Sequence, residues 1–178
     1  MWTKTAIARK VRLALGLAEY FLERPVRSVL DVGCGEGTWR AMLRAIRPRL
    51  HYQGVDASAY VVRRFGKRRN IIQGDLASLG SLPLAARYDL IVCCDVMHYV
   101  RTPELRAGLA AMARLAEGPA YLEAYTSADA VEGDHADFQR RSPAAYRRLL
   151  AAAGFLPAGP HSYVTRPLAA GLVALERP

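Results

Sequence analysis

The sequence predicts an α/β fold: a doubly wound, mostly parallel sheet with helices on both faces and an antiparallel terminal hairpin. Three observations predict it. Short apolar runs alternate with amphipathic segments of helical length along the 178 residues. The runs are apolar throughout rather than at every second position, as expected of strands covered on both faces. The first strand also leads straight into a glycine-rich turn and a helix, the arrangement with which doubly wound sheets bind ligands beyond their strand ends.

The elements follow in order. A first helix runs from about Lys4 to Glu23 and is stopped by Pro25. The first strand, Ser28 to Val32, precedes a helix from Thr38 to Ile46 that ends before Pro48. A second strand, Tyr52 to Val55, leads to a helix from Ser58 to about Gly66, and a short third strand lies near Asn70 to Gln73. The fourth strand covers Tyr88 to Cys94, and Pro103 is a good first position for the helix that reaches Ala116. After a fifth strand, Ala120 to Tyr125, a polar acidic loop reaches Ser142, an N-cap for the helix closed by Gly154. Runs near His161 to Thr165 and Gly171 to Leu175 are expected to pair as the terminal hairpin. No repeat or linker interrupts the series, so residues 1–178 are expected to form one domain, with residues 1–25 as a helix over the ligand site.

Bulk properties narrow the function. The composition, 52% hydrophobic and 23% charged, is that of a soluble globular protein. No apolar stretch is long enough for a bilayer span, and the first twenty residues do not resemble a secretory signal. Cys34, Cys93 and Cys94 cannot all pair, which points to free thiols in the cytoplasm. No Cys/His spacing suggests a metal site. The net charge is +9, but its densest cluster, Arg63 to Arg69, sits at a helix end, where cations complement the dipole. Other arginines, among them 140, 141, 147 and 148, are scattered and expected on the surface. The pattern argues against nucleic acid and for attraction of an acidic small substrate.

The chemistry is concentrated in Val29 to Gly37, where Asp31 is followed by Gly33, Gly35 and Gly37. A dinucleotide fingerprint would need a glycine at position 38, which is Thr38. Glycines at this spacing let the backbone approach a ligand, and an upstream carboxylate suits a cationic or hydroxylated ligand better than a pyrophosphate. Asp56, nineteen positions after Gly37, stands where an acid can grip both ribose hydroxyls. Asp75 follows the third strand in Gly74-Asp75-Leu76. With the strand-four segment Tyr88 to Val100, these residues occur in family order over about half the chain. The pattern resembles class I, Rossmann-like, S-adenosylmethionine-dependent methyltransferases of the small-molecule type.

That resemblance implies a seven-stranded sheet, S-adenosyl-L-methionine as cofactor and methyl transfer. It places Asp31, Gly33, Cys34, Gly35, Gly37 and Asp56 against the cofactor. It sets Asp75 at the exocyclic amine of adenine, with Ala57 and Leu76 along the ring and the Cys94 backbone alongside. Just beyond the fourth strand, His98 and Tyr99 fall close to the methyl group. A hydroxyl acceptor benefits from a base such as His98, whereas a neutral amine needs little more than alignment. His135 lies in a loop that could form a lid, and Glu123 and Tyr125 share a face that could line the acceptor pocket. The segment after strand four lacks the motifs of DNA adenine and cytosine carbon-5 methyltransferases. The expected function is O- or N-methylation of a small molecule by a monomer or homodimer. The alternatives are an RNA or protein methyltransferase, or a non-catalytic subunit that binds the cofactor.

Overall fold

The computed structural model describes residues 4–130, 137–170 and 172. Seven strands form one sheet: β1 (Ser28–Val32), β2 (His51–Asp56), β3 (Ile71–Gln73), β4 (Leu90–Cys94), β5 (Ala120–Glu123), β6 (Phe155–Gly159) and β7 (Ser162–Thr165). Their spatial order is β3-β2-β1-β4-β5-β7-β6; all neighbours run parallel except β5 with β7 and β7 with β6. The order reverses direction between β1 and β4, so the connections leave those two strands toward opposite faces and open a crevice at their carboxyl ends.

Side chains alternate across the sheet and build a core on each face. On one face Val29, Leu90, Val92 and Tyr121 pack beneath α1 (Lys4–Leu22), α2 (Thr38–Ile46) and α3 (Ala59–Arg69). On the other, Leu30, Ile91, Cys93 and Leu122 meet α4 (Thr102–Leu115) and α5 (Pro143–Ala152). A final short helix, α6 (Arg166–Ala169), follows β7.

The helix ends obey local chemistry. Ser58 Oγ accepts from Val61 N at 3.3 Å and Ser142 Oγ accepts from Ala145 N at 3.2 Å, each satisfying a first-turn amide. Asn70 ends α3 in the left-handed conformation, and its amide group donates to Tyr52 O at 2.7 Å.

Two expectations need correcting. The antiparallel hairpin among the described residues pairs β7 with β6, residues 155–159, where a run at 171–175 was the expected partner. Pro157 disguises β6 in the sequence, yet β6 is an edge strand, where a missing N–H can face away from the ladder. Between the two runs expected to pair, Pro167 lies in the first turn of α6, and most of 171–175 lies outside the described residues. Second, Arg141 is buried. Its guanidinium donates to Met97 O at 3.3 Å, to Thr102 Oγ1 at 3.1 Å and to Tyr146 Oη at 3.4 Å. Acceptors gathered by the turn after β4, among them the Met97 and Val100 carbonyls and the Thr102 hydroxyl, make a buried site for a guanidinium that the sequence alone does not display.

At the amino-terminal edge of the strands, Asp89 ties three segments together. It accepts both Arg24 guanidinium nitrogens at 2.8 Å and the backbone N–H groups of Arg27 at 2.7 Å and Ser28 at 3.3 Å. Burial alone would raise its pKa, but Arg24 and the two amides outweigh that and hold it below the usual carboxylate value. A depressed folded-state pKa means stability that is present above the unfolded value and lost as the pH falls through the folded one. Asp89→Ala should therefore cost about 3 kcal/mol at pH 7, because it strands a guanidinium and two amides. In urea melts from pH 7 to pH 3, the gap between wild type and variant should narrow as the carboxylate protonates.

Candidate active site

The glycine turn after β1 is the foundation of the site. Gly33, Gly35 and Gly37 all adopt positive φ, at 70°, 51° and 75°. At Gly33 the demand is absolute, since a Cβ there would lie 2.3 Å from Val96 Cγ2. The turn is tied to β2 by hydrogen bonds from Gly33 N to Val55 O at 2.8 Å and from Gly35 N to Asp56 Oδ2 at 2.7 Å.

Two cavities open from this turn, and Gly33 and Val96 line both. The first, about 260 Å³, is a mainly apolar slot between Ala57, Leu76, Val96, Tyr99 and Val100, with Asp75 and Glu104 as its carboxylates. Asp75 is exposed there and carries a hydrogen-bonded loop: Ser78 N and Oγ donate to Asp75 Oδ1 at 2.8 Å and 2.7 Å. Those bonds hold its pKa below the ordinary value. The second cavity, about 250 Å³, is walled by Ile7, Cys34, Trp39 and Cys94 and carries Asp31, Glu36, Asp95 and Lys10. Asp56, at the end of β2, accepts Gly35 N on one oxygen and Ser58 N, at 2.9 Å, on the other. A carboxylate has about four acceptor positions, so lone pairs remain for two further hydroxyl donors.

Asp31 is 2% exposed and accepts from Tyr52 Oη at 2.7 Å. Burial pushes its pKa up to about 7, although the Tyr52 bond opposes the shift. The same burial raises the Cys34 thiol and keeps it protonated. Opposite, Lys10 of α1 forms an ion pair with Glu123 of β5 at 2.7 Å, with the two side chains 13% and 9% exposed. Glu123 also accepts from Tyr121 Oη at 3.0 Å and Cys94 Sγ at 3.3 Å. Burial would raise its pKa, but Lys10 and these donors hold it low.

The structure thus brings Gly33, Ala57, Asp75, Leu76 and Tyr99 to one cavity and Asp31, Cys34, Gly35 and Cys94 to the other. Gly37 caps α2 in the left-handed conformation. His98 lies beneath the surface, 0% exposed, among the rings of Tyr99, Tyr125 and Phe138. Glu123 is engaged by Lys10, and the Tyr125 backbone N–H meets His98 Nδ1. His135 lies outside the described residues. Lys10, Trp39 and Val96 are site residues that sequence reading missed, because only packing of α1, α2 and the turn after β4 brings them to the glycine turn. Among the described residues no cluster could hold a metal ion, and no helix is long and apolar enough to cross a membrane.

Residues 29–117 match the protein family described as "Methyltransferase domain". No curated protein matches the chain by sequence. Many solved structures share its fold. The sugar N-methyltransferase KedS8 from a Streptoalloteichus species superposes with a TM-score of 0.69 at 21% identity, covering 90% of this chain and 88% of that one. The plantazolicin methyltransferase BamL, solved with S-adenosylhomocysteine (SAH) and a substrate analogue, gives 0.68 at 18% identity over 85% of this chain and 65% of its own. An O-methyltransferase family protein from Burkholderia thailandensis gives 0.55 at 16% identity, over 90% and 57%. The chain therefore spans less than two thirds of the last two proteins.

Because the folded-state pKa of Asp31 is raised, the stability associated with its protonated form is present at acidic pH and lost as the pH rises through about 7. Asp31→Asn, which is nearly isosteric and uncharged, should raise Tm at pH 8 by about 3 °C or more and by clearly less at pH 5. Calorimetric melts of both proteins at the two pH values check this.

Proposed function

We propose that this chain, which belongs to the class I family of S-adenosylmethionine-dependent methyltransferases, transfers a methyl group to an oxygen or nitrogen atom of a small molecule. The observation that carries the proposal is the pair of cavities that meet at Gly33, one a flat apolar slot and the other lined with charges. A purine suits the first and an amino-acid moiety the second, with Asp56 beside the junction where a ribose would bridge them.

In this reading the slot residues Ala57, Leu76 and Tyr99 hold the adenine, and Asp75 accepts from its exocyclic amine. Asp56 keeps its two backbone donors and adds the ribose hydroxyls. Asp31 and the turn glycines face the amino-acid portion, and α1 closes that end through Ile7 and Lys10. When bound, S-adenosyl-L-methionine supplies an electrophilic methyl on a sulfonium. The protein's part is then to align an acceptor and exclude water, and orientation alone can contribute roughly 7–11 kcal/mol of barrier lowering.

Charge at the mouth supports a small acceptor over RNA. The two cavities carry Asp31, Glu36, Asp75, Asp95 and Glu104 against a single described cation, Lys10, which is itself paired with Glu123. A polyphosphate would meet repulsion there despite the net charge of +9. Of the basic cluster of α3, Arg69 reaches the rim of this mouth, where it donates to Glu36 O, lies 3.7 Å from the Glu36 carboxylate and stacks 4.1 Å from the Phe65 ring, so its charge is already matched. We place the enzyme in the cytoplasm, as a monomer or homodimer.

Calorimetry should detect binding of S-adenosylmethionine and SAH and none of NAD. Asp56→Ala should weaken SAH binding by about tenfold to a hundredfold, the cost of roughly 1.5–3 kcal/mol in charge-assisted bonds, with a smaller effect on Tm. Incubation with methyl-labelled S-adenosylmethionine and fractionated metabolites should move label into a small-molecule pool. Label appearing only in RNA or protein, or binding without turnover, would replace this reading with one of its alternatives.

A further inference from the structure

We propose that Asp95 is the residue that meets the methyl acceptor, and that His98 is a positioning residue that holds the Asp95 carboxylate through its Nε2–H. The proposal rests on the methyl-transfer reading above.

The tautomer of His98 follows from one contact. The backbone N–H of Tyr125 points at His98 Nδ1 from 3.3 Å. A backbone amide can only donate, so Nδ1 must be the acceptor, and a neutral imidazole then carries its proton on Nε2. Protonation at Nδ1 would set two N–H groups against each other. Burial also lowers the imidazole pKa, with the Asp95 charge opposing, and the rings of Tyr99, Tyr125 and Phe138 pack around it at 4.2, 5.3 and 5.2 Å. His98 is therefore held neutral, with both ring nitrogens already assigned, and has no lone pair with which to take a proton from an acceptor.

Its Nε2–H is a buried donor that finds no hydrogen bond in the structure. Asp95 Oδ1 lies 3.8 Å away, within ion-pair range and just beyond a hydrogen bond. Catalytic hydrogen bonds are often long without ligand and tighten when the site fills, and a small rotation of the Asp95 carboxylate closes this one.

Asp95 is built for that position. It is a non-glycine residue at φ 68°, a left-handed conformation that Asp tolerates and that turns the chain sharply after β4. That turn leads the chain from β4 into the 3-10 turn Met97–Tyr99 and sets Asp95 in the wall of the charged cavity, with its side chain 40% exposed. The surroundings fix it: Asp95 N donates to Glu123 O at 3.1 Å, and Arg141 clamps the following turn through Met97 O. Among the described residues, the ionisable groups near it include Glu123, already paired with Lys10, and the Cys94 thiol and Tyr125 hydroxyl, both pushed up by burial and therefore uncharged.

The proton inventory closes without a further reactant. The electron pair of the acceptor oxygen or nitrogen forms the bond to the methyl carbon, and the carbon–sulfur pair returns to sulfur. The acceptor's proton passes to Asp95 and then to water; nothing is oxidised or reduced.

The test uses the whole chain labelled with 15N-histidine, with and without SAH. His98 signals, identified by their loss in His98→Gln, should show a proton on Nε2 alone from pH 5.5 to 8. The Nε2–H resonance should shift when SAH is added to wild type and stay put in Asp95→Asn, whose asparagine tolerates the same backbone conformation. In the labelled-methyl assay on the acceptor fraction, at saturating S-adenosylmethionine, Asp95→Asn should lower turnover roughly 10²-fold or more. His98→Ala should lower it about tenfold, and His98→Gln, which restores an N–H donor, should recover most of the loss. A His98 cation titrating in that range, a His98→Gln variant as slow as His98→Ala, or wild-type turnover in Asp95→Asn would each overturn the proposal. If the wild-type protein does not bind SAH at all, the methyl-transfer reading itself fails, and this proposal fails with it.

Discussion

The site depends on one steric constraint: the turn after β1 presses against the turn after β4 with no room for a side chain between them. Gly33 lies where any Cβ would penetrate Val96, and it does so at a φ that other residues rarely adopt. That contact divides the crevice at the sheet's reversal into two cavities instead of one open trough. The division gives the crevice two kinds of chemistry, an apolar slot on one side and charges on the other. Both turns are held from behind, the first by β2 through Val55 O and Asp56, the second by Arg141.

The charges of the site are arranged so that few of them oppose one another. Lys10 and Glu123 neutralise each other across α1 and β5, which also latches α1 beside the charged cavity. Burial of such a pair gives little net stability, but removal of either partner leaves a costly buried charge. Asp31 is handled differently, since burial lifts its pKa toward neutrality instead of pairing it with a cation. A carboxylate kept in that state destabilises the ligand-free protein at alkaline pH and is available to a cationic ligand. Stability and binding therefore pull against each other at this residue.

The turn after β4 borders both cavities. Asp95 takes a strained backbone conformation, His98 is buried behind it with one nitrogen fixed by a backbone amide, and Tyr99 turns outward to the apolar cavity. Neighbouring residues thus serve different surroundings because a 3-10 turn distributes them around its axis. The buried guanidinium of Arg141, some forty positions later in the chain, keeps that distribution fixed.

The sequence by itself determined the order and type of most elements. The apolar runs, the prolines at helix starts and the serine caps are local signals whose physics acts within a few residues, so β1 and α2 fall at the expected boundaries. The glycine spacing after Asp31 and the acids Asp56 and Asp75 are local signals of the same kind, and the fold sets Asp31 and Gly33 at the charged cavity and Asp75 at the apolar one. Tertiary structure decided what depends on partners far along the chain. Only packing shows that Arg141 is buried, that Lys10 meets Glu123 across 113 positions, and that Pro157 lies in an edge strand. His98 illustrates the division most plainly. Its position after β4 was readable, but its protonation is set by the amide of Tyr125, a neighbour that only the folding of β4 against β5 supplies.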